Sequence, residues 1–139
     1  MHHDLKPENL LIDDDLRVTL IDFGLGTHLP VGEKLHYRMG SPGYVAPEML
    51  GSKGYDLRGD VYSAGAIIYF LACGQQLFTG KNMKEILTNN LIGKIPLSGG
   101  SWDEISTTAK NFISRVLSRD PANRLTATEA LQHKWLRNT

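Results

Sequence analysis

The sequence has 139 residues, of which 41% are hydrophobic and 22% are charged, a composition typical of one globular domain with a buried core. Its 15 basic and 15 acidic side chains balance, which argues against nucleic acid or an anionic membrane surface as a partner. The longest apolar run, residues 61–73, is shorter than the ~20 residues that a membrane-spanning helix needs. The single Cys73 excludes an internal disulfide and no apolar secretory signal follows Met1, so we expect a cytoplasmic protein.

The first predicted elements enclose a polar site. The stretch from His2 to Asn9 is dense in polar and charged residues. Residues 10–12 and 17–21 are rich in β-forming residues and flank an acidic turn, which predicts a short hairpin. The hairpin would return the carboxylate of Asp22 beside the first stretch, so that two polar clusters face one site. We interpret the turn aspartates, residues 13–15, as solvated, because the spaced ligands, glycine and terminal glutamate of a calcium loop are missing.

A long loop follows the hairpin. Residues 24–43 contain five glycines and two prolines and show no sustained periodicity. Ordered loops of this length are usually functional. The loop runs into the segment Ser41-Pro42-Gly43-Tyr44-Val45-Ala46-Pro47-Glu48, which precedes the helical half of the chain.

Four helices are predicted in the second half of the chain. The first begins near Asp60, is apolar on nearly every face and ends at Gly74, so it should be surrounded by protein. The second runs from a cap at Asn82 to about Leu91, and the third begins after a cap at Ser106. The last begins with a capping box from Thr126 to Glu129. The inward-facing residues expected from helical spacing are Ala109, Phe112, Ile113, Val116 and Leu117 in the third helix and Leu131, Trp135 and Leu136 in the last.

Together these stretches resemble the signature of eukaryotic protein kinases. The Asp4 loop with Asn9, then Asp22-Phe23-Gly24 and Ala46-Pro47-Glu48, is similar to the kinase motifs H-R-D-L-x-x-x-N, D-F-G and A-P-E. Residues 22–48 then correspond to the whole activation segment. The resemblance implies an α+β fold. Residues 1–136 would form a kinase-like C-terminal lobe, mainly α-helical with a short β-hairpin near the N-terminus, and residues 137–139 a tail.

The resemblance also implies roles for individual side chains. Asp4 would orient and deprotonate a substrate hydroxyl, and Lys6 would bind ATP and neutralise the charge of the transferring phosphate. Asn9 and Asp22 would hold Mg²⁺. Ser41 would form a hydrogen bond near Asp4 and Lys6 rather than serve as a phosphorylation site.

Three further residues have implied structural roles, each with a simpler alternative. Asp60 would tie down the backbone of the Asp4 loop, or it would be only a helix N-cap. Glu48 and Arg124 would form a buried ion pair that anchors the activation segment, or they would be two unrelated surface charges. The opening pair of histidines is compatible with a purification tag or part of a metal site, but neither alternative explains the motif that follows.

The implied function is an ATP-dependent serine/threonine protein kinase that uses ATP and Mg²⁺ and acts on Ser or Thr hydroxyls of protein substrates. Residues 6–9 have the serine/threonine form of the loop, and residues 78–82 and 102–106 most resemble the calcium/calmodulin-dependent group. Regulation linked to calmodulin or calcium would fit that group. No Gly-rich phosphate loop or strand lysine occurs in the sequence, so we expect a partial domain whose N-terminal lobe belongs to a longer parent protein. The alternative is a catalytically inactive interaction module.

One departure from the kinase pattern concerns regulation. His3 stands where the family has the arginine that binds a phosphorylated activation loop, and a largely neutral histidine cannot replace a bidentate guanidinium. Tyr37 occupies the loop position where close relatives often carry the regulatory threonine. We therefore expect a kinase that does not require phosphorylation of its activation loop.

Overall fold

The computed structural model describes residues 1–137 and has the α+β architecture that the sequence predicts. A short hairpin and a long loop precede the helices, which pack around a central helix, α1. The elements are β1 (Leu10–Ile12), β2 (Val18–Leu20), α1 (Arg58–Cys73), α2 (Met83–Ile92), α3 (Thr107–Val116), α4 (Ala127–Leu131) and α5 (Lys134–Arg137), with 3₁₀ helices at Pro7–Asn9, Pro47–Leu50 and Gly100–Glu104.

The hairpin pairs β1 and β2 in antiparallel register, with Leu10 opposite Leu20 and Ile12 opposite Val18. Its turn is closed by one side chain, because Asp13 Oδ1 accepts hydrogen bonds from the backbone N–H groups two and four residues later, at 3.0 and 2.8 Å. The acidic residues therefore shape an exposed turn. Within residues 1–137, no three His, Cys, Asp or Glu side chains are grouped so that they could hold a metal ion.

Helix α1 is the centre of the core and packs against α3. Tyr62 is fully buried on it, and Gly65 lies so close to α3 that an added Cβ would sit 2.8 Å from a methyl group of Val116. Only glycine fits this crossing. The helix ends as predicted at Gly74, whose positive φ of 72° lets its N–H bond to Phe70 O at 2.8 Å.

The predicted caps of the next helices are present. Asn82 accepts a hydrogen bond from the N–H of Glu85 at the start of α2, and Ser106 accepts one from Ala109 at the start of α3. The expected apolar face of α3, with Leu117 just beyond it, is buried. Periodicity and capping residues together locate these helices correctly because both signals are local.

The C-terminal end differs from the sequence prediction. The chain forms two short helices, α4 and α5, instead of one, so the helical period restarts between them. Leu131 is 68% exposed and Leu136 is 36% exposed, so the prediction that both point inward is wrong, while His133 is buried. Helix α5 ends at Arg137, and residues 138–139 of the expected tail lie outside the described residues.

Several large apolar side chains are left on the surface. On the hairpin, Leu11, Ile12 and Val18 are each more than half exposed, and on the central helix Leu71 is 73% exposed. Helix α1 is thus not covered on every side. In the described part of the chain, no helix has the length and apolar character needed to cross a membrane.

We predict that His133 makes stability depend on pH. Its Nε2–H donates to Asn111 Oδ1 at 3.0 Å and its Nδ1 accepts from Trp135 N–H at 3.2 Å, so both bonds together require the neutral ring. Burial, with the nearby charges of Arg115 and Lys134, lowers the pKa of His133 from its ordinary value of 6.5. The contribution is therefore fully present above about pH 6.5 and is lost as the pH falls towards the lower folded-state pKa.

Urea unfolding at pH 7.5 and pH 5.5 tests this prediction. We expect the wild type to lose more unfolding free energy between the two values than H133Q, whose side chain does not titrate. An identical loss in both proteins would contradict it.

Candidate active site

The polar loop at residues 2–9 is fixed to the central helix by one carboxylate. Asp60, in the first turn of α1, accepts hydrogen bonds from the backbone N–H groups of His2 at 2.6 Å and His3 at 3.0 Å. The N-cap of α1 is Leu57, so the alternative role of Asp60 as the N-cap is wrong. These bonds hold His3 in the left-handed region, at φ 73°, where a non-glycine residue is strained.

Three side chains meet at the centre of the site. Lys6 Nζ lies 2.8 Å from Asp4 Oδ2, and Ser41 Oγ donates to Asp4 Oδ1 at 2.6 Å. Lys6 Nζ also donates to Ser41 Oγ at 3.1 Å, which closes a triangle. Ser41 belongs to the long loop, so the triangle joins that loop to the residue 2–9 loop, as the sequence suggested.

The triangle fixes the charge of both ionisable groups. Burial alone would raise the pKa of Asp4, but hydrogen bonds from Lys6 and Ser41 and the charge of Lys6 outweigh it and hold this pKa below its usual value. The hydrogen bond with Asp4 raises the pKa of Lys6, with the charges of Glu8 and Asp22 acting in the same direction. At neutral pH the site therefore presents a carboxylate and an ammonium group side by side.

Asn9 and Asp22 lie at one side of this triangle. Asn9 is buried, and its Nδ2 donates to Asp4 O at 2.8 Å. The backbone carbonyl oxygen of Asn9 accepts from Ile21 N–H at 3.0 Å, so Asp22 directly follows the residue that pairs with Asn9 across the hairpin. Asp22 is exposed, has φ 61°, and accepts from Gly24 N–H at 3.2 Å. An amide and a carboxylate are the oxygen donors that Mg²⁺ prefers, with waters and phosphates completing its shell.

The segment that follows Asp22 is fixed to the site at its beginning. The ring of Phe23 packs edge-on against that of His2, with centroids 4.8 Å apart, although Phe23 is 64% exposed. Gly24 bonds back to Asp22 as described above. These contacts orient the start of the long loop beside the carboxylate.

The end of the same segment is fixed by a buried ion pair. Ala46 and Pro47 lead into the 3₁₀ helix that carries Glu48, and its carboxylate accepts two bonds from Arg124, at 2.5 and 2.9 Å. Arg124 also donates to Ser118 O and Arg58 O, and its guanidinium lies 4.9 Å from the ring centroid of Tyr62. The alternative of two unrelated surface charges is therefore wrong.

The sequence did not reveal two polar residues that hold the backbone near the site. Buried Asn90 of α2 donates from Nδ2 to Val45 O at 2.7 Å, so it holds the backbone that follows Ser41. Arg119 donates to the carbonyl oxygens of Asn90, Leu91 and Gly93 and so binds the C-terminal end of α2. Cations are favourable there because of the helix dipole. Neither residue belongs to a periodic pattern or a motif that could have revealed it.

The chain is similar to known proteins over nearly its whole length. The family model described as "Protein kinase domain" matches residues 1–136. Calcium-dependent protein kinase 25 of Arabidopsis thaliana is 43% identical over 141 residues, which covers 99% of this chain and 27% of that protein. The liver/testis gamma catalytic chain of phosphorylase b kinase from Bos taurus is 42% identical, with 97% of this chain and 35% of that protein covered. The chain thus spans between a quarter and about a third of the length of these relatives.

We predict that E48Q destabilises the chain by about 3–5 kcal/mol, because it leaves the buried Arg124 guanidinium without its counter-charge. Urea unfolding measures the change, with E33Q on the exposed part of the long loop as the matched control. A loss below ~1 kcal/mol for E48Q would show that the pair is worth no more than a surface ion pair.

Proposed function

Because the chain belongs to the protein kinase family, we propose that it supplies the catalytic loop and activation segment for phosphoryl transfer from Mg-ATP to serine or threonine hydroxyls of proteins. The observation that carries this proposal is the ionised Asp4, held between Lys6 and Ser41 by bonds of 2.8 and 2.6 Å. A carboxylate in this state can accept a proton from a substrate hydroxyl.

Asp4 acts as the general base in this proposal. Its two oxygens accept from different partners, Ser41 at Oδ1 and Lys6 at Oδ2, so the plane of the carboxylate is fixed. Oδ2 also accepts from Asn9 Nδ2 at 3.4 Å, so it is the second lone pair of Oδ1 that remains for a substrate hydroxyl. The lowered pKa keeps the group unprotonated at neutral pH, and a base positioned in this way typically contributes ~10²–10⁴-fold to the rate.

Lys6, Asn9 and Asp22 fit the phosphate side of the reaction. Asn9 and Asp22 offer an amide and a carboxylate on neighbouring segments, a donor set suited to Mg²⁺. When bound, the metal ion neutralises charge on the phosphate groups. Lys6 is charged and lies beside Asp4, so its ammonium group can also neutralise charge on the transferring phosphate.

We propose residues 1–136 as a kinase C-terminal lobe that works with an ATP-binding N-terminal lobe encoded outside these 139 residues. The match of the kinase family model to residues 1–136 supports this proposal. The Gly-rich loop and strand lysine, which position ATP in kinases, do not occur in these 139 residues. The serine/threonine preference rests on the form of residues 6–9. Calcium-dependent protein kinase 25, the relative described above, is named for its dependence on calcium, which supports calcium-linked regulation of the parent protein.

The alternative of an inactive interaction module is less well supported. A chain that only binds a partner has no chemical use for a carboxylate that is fixed in position and able to accept a proton from a hydroxyl. The retained geometry of Asp4, Lys6, Asn9 and Asp22 favours phosphoryl transfer.

We predict that D4N lowers kcat by ~10²–10⁴-fold in the longest natural product that contains these residues, because an amide cannot accept the proton. Transfer of labelled γ-phosphate from Mg-ATP to a mixture of serine and threonine peptides measures it. D14N, at an exposed turn position of the hairpin, is the matched control and should leave kcat unchanged. Near-normal turnover by D4N would overturn the proposal for Asp4.

A further inference from the structure

His3 joins three segments that are distant in sequence. Its backbone N–H bonds to Asp60 of α1 at 3.0 Å, and its ring Nδ1 lies 2.9 Å from Leu25 O in the long loop. The ring is only 1% exposed, and its second nitrogen, Nε2, is buried without a hydrogen-bond partner among the described residues. The outer side of this ring is therefore held by packing and not by a polar bond.

That packing comes from two tyrosines. The centroid of the His3 ring lies 6.0 Å from that of Tyr37 and 5.9 Å from that of Tyr55, and the two tyrosine rings are 6.3 Å apart. We call these three rings the aromatic trio. Tyr55 is 3% exposed, whereas Tyr37 is 42% exposed. The ring of Tyr55 packs edge to face against the rings of both His3 and Tyr37, an arrangement that aromatic pairs prefer.

The aromatic trio also closes the long loop on itself and on the segment before α1. Tyr37 OH lies 3.2 Å from Thr27 Oγ1, which joins the two arms of the loop. Leu35 and Tyr55 form an isolated antiparallel bridge, with backbone bonds of 2.9 and 3.0 Å in the two directions. The loop is thus bound at residues 25, 27, 35 and 37, and no lysine or arginine side chain takes part in these contacts.

From these contacts we infer that the aromatic trio of His3, Tyr37 and Tyr55 holds the activation segment in its ordered position without a phosphate group. His3 and Tyr37 are the two positions at which a phosphate-dependent switch would need an arginine and a threonine, and both are replaced by rings that contact each other. Tyr55 completes the packing from the segment before α1 and acts as a positioning residue. The regulatory meaning of this inference rests on the proposed function, whereas the claim that the trio orders the loop does not depend on it.

The position of the trio explains how it would act on the site. Tyr37 is four residues before Ser41, whose hydroxyl donates to Asp4, and His3 directly precedes Asp4. Ordering of the loop by the trio therefore fixes both ends of the Asp4–Ser41 hydrogen bond. Loss of the ring at position 55 should loosen the loop. Because Tyr55 also belongs to the buried cluster that contains the core residues of α1 and α3, loop opening has to be measured relative to global unfolding.

Limited trypsin digestion of the full chain tests the inference without any kinase assay. Lys34 and Arg38 are exposed and flank the Leu35 and Tyr37 contacts, so cleavage after them reports opening of the loop, while cleavage after Arg115 in α3 reports global unfolding. We expect Y55L to increase cleavage after Lys34 and Arg38 about tenfold relative to cleavage after Arg115, since it removes two aromatic pairs.

Two matched variants sharpen the test. Y55F should behave like the wild type, because Tyr55 OH is buried with no hydrogen-bond partner in residues 1–137 and its removal keeps both ring pairs. V31A, at a fully exposed position of the same loop, should also leave cleavage unchanged. Equal loop cleavage in Y55L and Y55F would overturn the inference.

A second comparison tests whether phosphorylation contributes to the order of the loop. Treatment of the wild type with a broad-specificity phosphatase should leave loop cleavage unchanged, and a rise to the level of Y55L would overturn the inference. If Y55L also accelerates cleavage after Arg115, the variant is globally unfolded, and Y37L, at a position that is 42% exposed, decides by the same ratio. If the digestion test fails, the role proposed for Asp4 is not affected. If the wild type shows no phosphoryl transfer, the digestion result for the loop still holds.

Discussion

The hydrogen bonds from the backbone of His2 and His3 to the carboxylate of Asp60 are the constraint on which the site depends. They join the residue 2–9 loop, which has little core of its own, to the most buried helix of the chain. Because the two oxygens of one carboxylate bind two consecutive N–H groups, the backbone is held in a strained conformation that an isolated loop would not keep. The direction of the Asp4 side chain follows from this, so the chemistry of the site is set by a residue 56 positions away in sequence.

The long loop contributes to the site only because it is held at both ends. Gly24 and Phe23 contact Asp22 and His2 at its start, and Glu48 binds Arg124 after its end. Arg124 has no exposed surface on its side chain, and its three donor nitrogens all have protein acceptors. A buried cation satisfied in this way tolerates few alternative positions of its partner, so the pair fixes where the segment from Ser41 onwards must lie.

The sequence predicted the elements that depend on residues a few positions apart, and it did not reveal contacts between segments that are distant in sequence. The face of α3 and the caps Asn82, Ser106 and Thr126 could be predicted because periodicity and capping depend on residues a few positions apart. The pairs of Asp60 with the loop and of Glu48 with Arg124 could be predicted only through the family motif. The interruption of the helix between α4 and α5 was not expected, and it leaves Leu131 exposed instead of buried. Asn90, Arg119 and Tyr55 act through carbonyl groups or ring edges of distant segments, for which a single sequence carries no signature.

The apolar side chains left exposed on the hairpin and on α1 affect how this chain responds to denaturants. Leu11, Ile12, Val18 and Leu71 are each more than half exposed in the folded state, so each gains less exposed area on unfolding than a buried side chain does. Both the denaturant dependence of the unfolding free energy and the heat capacity change scale with newly exposed surface. The transition in urea should therefore be shallower, and the stability curve flatter with temperature, than the length of the chain alone would suggest.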